Sequence, residues 1–194
     1  LLIKVVSPGP VIFRQERIGF RGKKVQCFKF RTMHVNCDQR VHRSHLSSLI
    51  HSTGPMTKLE TEGRDKRLIP LGGILRQCAF DELPQLINVL RGDMSLVGPR
   101  PCIPYEYEEY RRWQKRRVDA VPGMTGLWQV SGKNRTTFNE MMRLDIRYAK
   151  ASSLLVDLMI AVKTLPAVVG QVRDGMGRKL TTSRNRRPKE IHYA

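Results

Sequence analysis

The sequence lacks paired cysteines and long apolar runs, and it has few acidic residues compared with its basic ones. Its four cysteines form no Cys-x-x-Cys pair, which excludes a small disulfide scaffold and a zinc ribbon and suits a reducing compartment. Because no run of about 18 apolar residues is present, no segment is predicted to cross a bilayer as a helix. The sequence also has no signal-peptide pattern and no internal repeat.

What is abundant is positive charge. The 35 Lys and Arg residues exceed the 17 Asp and Glu residues, which gives a formal net charge of +18. This excess predicts a polyanionic neighbour: nucleic acid, an anionic membrane face or a phosphorylated substrate. A length of 194 residues, of which 40% are hydrophobic, fits one domain with a sizeable core.

The N-terminal segment is apolar through residue 6 and then stops at Ser7-Pro8-Gly9-Pro10. Two interpretations stay open, a first strand or the tail of a longer hydrophobic segment that precedes residue 1. The Pro-Gly-Pro stop and the basic stretch after it favour the second.

Alternating apolar and polar residues predict a β-hairpin within residues 11–33. Its strands are 11–15 and 25–31, and its turn is 19–22. On this alternation Lys29 and Arg31 share the face opposite the two phenylalanines of the second strand. The polar, His-rich stretch 34–69 is predicted to be a mobile excursion.

Helical periodicity and turn signals organise the rest of the chain. Asp81 is the expected N-cap of a helix whose apolar residues recur on one face. Pro166 is expected to kink or end the last helix, and the basic tail after Gly170 is expected to fray. A turn and a short strand are predicted at 122–130. The apolar face of the first helix comprises Leu83, Leu86, Ile87 and Leu90, and the predicted helices are 81–90, 105–118, 137–149 and 153–169.

The adjacent carboxylates Asp81 and Glu82 are the sharpest chemical signal. At a helix N-terminus both are expected to stay ionised, so that one can attack phosphorus or bind Mg²⁺. The alternative from residue types alone is that Asp81 only caps the helix and Glu82 only complements its dipole.

Four cations are candidates for clamping phosphate oxygens: Lys29, Arg31, Arg76 and Arg100. Arg100 belongs to the loop 98–101, whose two prolines make it rigid, and which on its own is also consistent with a packing turn. The basic residues at 111–117 form either a solvated helix face or a surface for anionic lipid headgroups.

Several long motifs occur in a fixed order and together resemble one family. The sequence is similar to the bacterial sugar transferases, monotopic polyprenyl-phosphate phosphoglycosyl transferases that start exopolysaccharide or O-antigen synthesis. The motifs are Ser-Pro-Gly-Pro at 7–10, Phe-Arg-Gln at 13–15, Arg-Ile-Gly at 17–19, Lys-Phe-Arg-Thr-Met at 29–33, Asp-Glu-Leu-Pro-Gln at 81–85, Gly-Asp-Met-Ser-Leu-Val-Gly-Pro-Arg-Pro at 92–101 and Gly-Met-Thr-Gly-Leu-Trp-Gln-Val-Ser-Gly at 123–132.

The resemblance implies an α+β fold: a compact, mostly helical monotopic membrane domain with a small β-hairpin and amphipathic interfacial helices at 105–118 and 153–169. Residues 1–6 would end a re-entrant membrane helix that is largely missing from this chain. Residues 7–170 would form the catalytic domain and 171–194 a flexible basic tail. The expected location is the cytoplasmic face of the bacterial inner membrane, in contact with anionic lipids.

The resemblance also implies the chemistry. A sugar 1-phosphate would pass from a UDP-sugar to undecaprenyl phosphate, with release of UMP. Asp81 would be the nucleophile, Mg²⁺ would bind Asp81 and Glu82, and Lys29, Arg76 and Arg100 match the family's functional cations. Glu82 either binds the metal or helps to deprotonate the acceptor, and these two roles stay open.

The motifs restrict the donor sugar and the partners to a few alternatives. UDP-glucose and UDP-galactose are the expected donors, with a UDP-acetamidosugar as the alternative within the family. Cys102 stands where many relatives have Glu, which puts any role of that Glu in doubt here. From another class, a basic nucleic-acid-binding module is suggested only by the charge; no recognition motif is present, so no nucleic-acid partner is expected.

Overall fold

A computed structural model describes residues 2–35, 40–56, 67–132 and 136–184. The chain combines helices with two small sheets, which agrees with the expected α+β class. The strands are β1 (Ile12–Ile18), β2 (Lys24–Phe30), β3 (Ser95–Val97) and β4 (Gly123–Thr125). The helices are α1 (Leu2–Val6), α2 (Arg40–His51), α3 (Gly72–Gln77), α4 (Gln85–Leu90), α5 (Pro104–Glu108), α6 (Leu127–Val130), α7 (Phe138–Ala151) and α8 (Leu154–Arg184).

The predicted hairpin is confirmed. Strands β1 and β2 pair antiparallel, with Ile12 opposite Phe30 and Ile18 opposite Lys24. Alternation along β2 buries Cys27 and leaves Lys29 on the same face. The opposite face carries Phe28, whose ring is covered by the guanidinium groups of Arg14 and Arg91 at 5.8 and 5.7 Å.

The second sheet is a short parallel pair, β3 with β4, in which Ser95 is opposite Gly123. Glycine is required where the two segments meet, because a Cβ atom on Gly98 would lie 2.3 Å from the carbonyl oxygen of Val121. A Cβ atom on Gly126 would lie 2.3 Å from the carbonyl oxygen of Gly98. This close backbone approach fixes the start of the loop that carries Arg100.

The stretch 34–69 was predicted to be a mobile excursion, and this prediction is wrong for the part that is described. Residues 40–51 form α2, and Ile50 belongs to the main hydrophobic core together with Phe138 and Met142 of α7. Pro55 bridges Thr137, the residue that caps α7. Residues 36–39 and 57–66 of this stretch lie outside the described residues.

Two predicted helices have different bounds. Residues 105–118 do not form one helix, because α5 ends at Glu108 and a separate 3-10 helix covers Gln114–Asp119. Residues 81–90 are also divided, into a 3-10 turn at Phe80–Glu82 and α4, so Asp81 does not cap a helix. Tertiary contacts of the buried residues in these segments outweigh the local helical periodicity.

Helix α7 begins one residue after the predicted 137, since Thr137 is its N-cap and forms a capping box with Glu140. Helix α8 contains Pro166 and continues to Arg184, so neither the predicted end near residue 169 nor a frayed chain directly after Gly170 is correct. Residues 185–194 of the predicted tail lie outside the described part. The N-terminal residues 2–6 form a helix, so the alternative of a first strand is wrong.

Helix α4 buries its polar side and exposes its apolar side, and we call it inverted for this reason. Its polar residues Gln85 and Asn88 are buried, whereas its apolar residues Leu86, Ile87 and Leu90 are exposed, Leu90 to 88%. Helix α8 is similar: Ile160 is fully buried against β3 and α7, while many of its other apolar residues face outward. The exposed apolar residues of the segment from Leu71 to α4 and of α8 are Leu71, Ile74, Phe80, Leu83, Leu86, Ile87, Leu90, Leu154, Leu155, Leu158, Met159, Val162, Leu165 and Val169. We call this set the apolar face. Among the described helices, none has the length and apolar character needed to cross a bilayer.

Candidate active site

The structure brings two predicted cations onto one predicted carboxylate. The Nζ atom of Lys29 lies 2.6 Å from Oε1 of Glu82, and a guanidinium nitrogen of Arg100 lies 3.4 Å from the same oxygen. Lys29 comes from β2, Glu82 from the 3-10 turn and Arg100 from the loop after β3. Three segments far apart in sequence therefore meet at this point.

Local backbone geometry presents the Asp81-Glu82 pair. Ala79 adopts a left-handed conformation with φ of 56°, which ends α3 and starts the 3-10 turn. Helix α3 is held close to the hairpin, because a Cβ atom on Gly72 would lie 2.4 Å from the carbonyl oxygen of Thr32. The turn thus lies against β2, where Lys29 is located.

Asn88 joins α4 to the same strand. Its Oδ1 accepts a hydrogen bond from the backbone N–H of Phe28 at 3.0 Å, and its Nδ2 donates to the carbonyl of Gln26 at 2.7 Å. The side chain thereby satisfies the edge of β2 as a neighbouring strand would. Sequence reasoning missed Asn88; the available signal was its position on the polar side of an otherwise apolar helix.

Asp81 differs from its neighbour. It is 8% exposed, and no hydrogen bond joins its carboxylate to another described residue. Burial raises the pKa of Asp81 above the usual aspartate range, and Glu82 adds to this, although the charges of Lys29, Arg76 and Arg100 lower it. The direction of this shift is opposite to the one expected for a carboxylate at a helix N-terminus, because loss of solvation is the dominant effect.

The cations around the pair are themselves desolvated. Burial lowers the pKa of Lys29, the charge of Arg100 lowers it further, and Glu82 opposes both. Burial and Arg100 also lower the pKa of Arg17. These cations line a narrow cleft together with Cys27, Gln85, Pro101, Gly123 and Met124. Because like charges are gathered here, an anionic ligand in the cleft would relieve their repulsion.

The half-buried Arg17 and the buried Arg117 fix the loop that carries Arg100. Arg17 donates to the carbonyl oxygen of Pro101 at 3.1 Å, and Arg117 donates to the carbonyl oxygen of Arg100 at 3.0 Å. Both acceptors belong to consecutive residues, so the backbone is held from two sides. Neither arginine was a predicted site residue, although Arg17 lies within one of the family motifs.

Arg117 is the centre of a buried polar network. It pairs with Asp145 at 2.5 Å, donates to the Tyr110 hydroxyl at 2.7 Å, and lies 3.7 Å from Glu106. Tyr110 in turn hydrogen-bonds Glu106. Arg117 is only 3% exposed, so it is neither a solvated residue nor a lipid headgroup ligand, as the predicted basic helix required. Its partners make it a support for Arg100 instead.

The remaining predicted cations lie in different positions. Arg31 donates to the carbonyl oxygens of Ser7 and Pro8 at 2.8 and 2.7 Å, so it holds the end of α1 rather than Glu82. Arg76 is exposed in the last turn of α3, and its charge acts on Asp81. Cys102 is buried in the main core, where burial raises its pKa to about 11.

The carboxylates fit a hard divalent cation. Mg²⁺ prefers oxygen ligands and is commonly held by one or two carboxylates together with substrate phosphates. Both oxygens of Asp81 are free of hydrogen bonds from the described residues, and Glu82 adjoins it. The adjacent pair supplies two carboxylates, and a phosphate oxygen of the substrate would supply a further oxygen ligand.

The candidate site is thus a carboxylate pair on a 3-10 turn, bordered by Lys29 and by an Arg100 whose backbone is held by two arginines, in an α+β domain. The bacterial sugar transferase family matches residues 1–171, and the chain belongs to this family. The resemblance predicted from the motifs is thereby confirmed.

Curated relatives agree with the family. A galactosyl transferase, CpsE, of Streptococcus agalactiae is 44% identical over 83% of this chain and 35% of its own length. The exopolysaccharide production protein ExoY of Sinorhizobium fredii is 38% identical over 86% of this chain and 74% of its own. A UDP-glucose:undecaprenyl-phosphate glucose-1-phosphate transferase of Caulobacter vibrioides is 42% identical over 87% of this chain and 60% of its own. The chain thus spans between about a third and three quarters of these proteins.

Proposed function

We propose that this chain is the catalytic part of an enzyme that transfers a hexose 1-phosphate from a UDP-hexose to undecaprenyl phosphate. The supporting observation is the buried Asp81 carboxylate, which has no hydrogen bond from the described residues and adjoins the Glu82–Lys29–Arg100 cluster. Family membership favours this enzyme over a nucleic-acid-binding module. The proposed product begins exopolysaccharide, capsule or O-antigen synthesis.

In the first step, a carboxylate oxygen of Asp81 attacks the β-phosphorus of the UDP-hexose. The new Asp81 oxygen–phosphorus bond forms while the bond from this phosphorus to the bridging oxygen breaks, and UMP leaves with the electron pair. Lys29 and Arg100 reduce the repulsion between the carboxylate and the diphosphate. The hexose 1-phosphate remains on Asp81.

In the second step, a phosphate oxygen of undecaprenyl phosphate attacks the same phosphorus. The acyl phosphate bond breaks, Asp81 is regenerated as a carboxylate, and the hexose diphospholipid is released. A single site thus serves a water-soluble donor and a lipid acceptor in turn, which predicts ping-pong kinetics.

Asp81 and Glu82 would hold Mg²⁺, which when bound would neutralise part of the diphosphate charge. Glu82 already accepts from Lys29 and Arg100, so it also keeps these two cations within reach of the phosphates. For the donor, relatives named for galactose and for glucose transfer support a UDP-hexose.

We further propose that the chain lies on the cytoplasmic face of the inner membrane without crossing it, in contact with anionic lipids. The apolar face supports this placement, because so many exposed leucines would be costly in water. Phe80 and Leu83 directly flank Asp81-Glu82, so hydrocarbon contact there would set the site at the depth of the acceptor phosphate. A re-entrant helix that ends at residue 6 remains part of the proposal.

The test is a donor panel. Membranes that contain the full-length protein are incubated with undecaprenyl phosphate and with UDP-glucose, UDP-galactose or UDP-N-acetylglucosamine, and UMP is measured. We expect UMP from a hexose donor, loss of the signal on chelation of divalent metal, and recovery on addition of Mg²⁺. UMP from none of the donors would contradict the function. Release that persists after chelation would contradict the metal assignment, and release from the acetamidosugar alone would contradict the donor class.

A further inference from the structure

A second cleft lies away from the Asp81 site, between α7 and the segment that precedes the 3-10 helix at Gln114–Asp119. Its volume is about 490 Å³. Nothing in the proposed transfer reaction uses it. Its lining residues are Trp113, Arg143, Ile146, Arg147, Lys150 and Ala151.

The cleft concentrates positive charge. Arg143, Arg147 and Lys150 are exposed and follow one another at spacings of four and three residues, which puts them on one side of α7. None of the three forms a salt bridge with a carboxylate of the residues that the structure describes. Exposed basic residues on a helix are commonly only solvated, but here they border a shallow, open depression that also has apolar walls.

The other walls of the cleft are apolar. Trp113, 36% exposed, contributes an aromatic surface, and Ile146 contributes an aliphatic one. Tryptophan and basic residues together are typical of the boundary between water and lipid headgroups. An indole beside two guanidinium groups suits a ligand that has both an anionic and an apolar part.

The position of the cleft favours a lipid as its ligand. Ala151 ends α7 at one edge of the cleft, and α8 begins three residues later with Leu154 and Leu155, which are 87% and 78% exposed. These leucines are the start of the α8 part of the apolar face. The cleft therefore lies next to the surface that we place in lipid, where headgroup phosphates are the nearest anions.

We propose that this cleft binds the phosphate of an anionic phospholipid headgroup, with Arg143 and Arg147 donating to the phosphate oxygens. Lys150 adds a third positive charge and Trp113 packs against the glycerol region. This inference rests on the membrane placement in the proposed function, and it adds a defined lipid site to that placement. The site would fix the rotation of the domain about α8.

The fluorescence of Trp113 can report lipid binding at the cleft. The chain has two tryptophans, and Trp128 is buried with its indole N–H bonded to Thr136 at 2.8 Å, so Trp113 dominates any fluorescence response to lipid. The 194-residue chain is titrated with phosphatidylcholine vesicles and with mixed phosphatidylcholine–phosphatidylglycerol vesicles. We expect the mixed vesicles to shift the Trp113 emission to shorter wavelength at lower lipid concentration.

A charge-matched pair of variants isolates the cleft. Replacing both Arg143→Gln and Arg147→Gln should weaken binding to the mixed vesicles about 30-fold, from about a fivefold effect for each basic residue at an anionic surface. Replacing both Arg21→Gln and Lys23→Gln, which removes two exposed charges outside the cleft, should change it by no more than about twofold.

The outcomes separate the site from the membrane placement. Equal losses in the two double variants would overturn the site, because general attraction would explain the binding. The same Trp113 response to inorganic phosphate or glycerol phosphate alone would overturn a lipid ligand. Equal binding of neutral and anionic vesicles would overturn the site but keep the membrane placement, whereas no binding to any vesicle would contradict both.

Discussion

At the scale of single residues, the candidate site joins Asp81, the proposed nucleophile, which is costly to ionise, to cations that are costly to bury. Asp81 gains no hydrogen bond from the described residues, and burial raises its pKa. Lys29 is desolvated as well, and burial lowers its pKa. A substrate diphosphate and a divalent cation would relieve both costs together, so the fold stores electrostatic energy that ligand binding releases.

Because the ionised Asp81 side chain is desolvated, we expect Asp81→Asn to raise the free energy of unfolding at neutral pH and to abolish transfer. Because the pKa of Asp81 is raised in the folded state, its ionisation lowers the free energy of unfolding as pH rises through that pKa. Below the pKa of an unfolded aspartate, which is about 4, the difference in the free energy of unfolding between the two proteins should vanish. Thermal unfolding of both proteins in metal-free buffer at several pH values measures this. An Asp81→Asn protein that is less stable at pH 7 would contradict the account.

Because Arg117 holds the backbone of Arg100, we expect substitutions of these two residues to have coupled effects on the rate of transfer. Arg117→Lys keeps a positive charge for Asp145 but loses the donor to the Arg100 carbonyl. We expect a rate of transfer about tenfold lower, the value of one hydrogen bond. In the Arg100→Ala background, the same change should cost nothing more. A double-mutant cycle measures the coupling, and additive losses would show that Arg117 has only a structural role.

The residue types of the site could be predicted from sequence, but their environments could not. The motifs include Lys29, Glu82 and Arg100, and the structure brings these three residues together. They also include Arg31, but the structure places its side chain against the carbonyls of Ser7 and Pro8. Burial of Asp81 depends on strands and loops that are distant in sequence. Local helix chemistry therefore gave the wrong direction for its pKa.

At the scale of elements, the inverted helix α4 connects the site to the proposed membrane surface. Its inward face uses Asn88 to hold β2, and its outward face exposes Leu86 and Ile87. In water this arrangement is unfavourable, because polar groups are buried while apolar groups remain hydrated. In contact with hydrocarbon, the same arrangement becomes favourable, because the exposed apolar side chains no longer face water.

The two faces of α4 predict opposite phenotypes. Replacing Leu86→Gln and Ile87→Gln should leave the free energy of unfolding within about 0.5 kcal/mol for each change, since both are exposed. Vesicle binding should weaken by about 1 to 3 kcal/mol for each side chain removed from hydrocarbon. Asn88→Ala, the control on the other face, should lower the free energy of unfolding by about 2 kcal/mol and retain vesicle binding. Denaturation and vesicle sedimentation measure both quantities, and a loss of vesicle binding only in Asn88→Ala would contradict the proposed orientation.

Elements with strong local signals were predicted well, and those shaped by tertiary contacts were not. The hairpin follows from alternation, and the predicted helix 137–149 is confirmed as α7, which the structure shows to begin with a capping box of Thr137 and Glu140. The segment 105–118 contains no Gly or Pro that would break a helix, yet it turns so that Tyr110 and Arg117 can meet in the core. Periodicity found the apolar stripe of α4, but it could not show that the stripe faces outward.

At the scale of the whole molecule, positive charge and exposed apolar surface occur in one small domain. The net charge of +18 attracts an anionic surface, while the apolar face provides contact once the chain arrives. Asp81 and Glu82 lie between Phe80 and Leu83, two residues of this face, so the proposed membrane placement would bring the acceptor phosphate to the depth of the carboxylates.

The most direct test of the account is the mass of the intact protein after incubation with UDP-hexose and Mg²⁺ in the absence of any lipid acceptor. The account predicts one hexose phosphate per chain, located on Asp81, with an equal amount of UMP released, and no adduct on Asp81→Asn. Addition of undecaprenyl phosphate should then remove the adduct. UMP that forms only when donor and acceptor are both present, with no adduct at any time, would contradict the covalent role of Asp81.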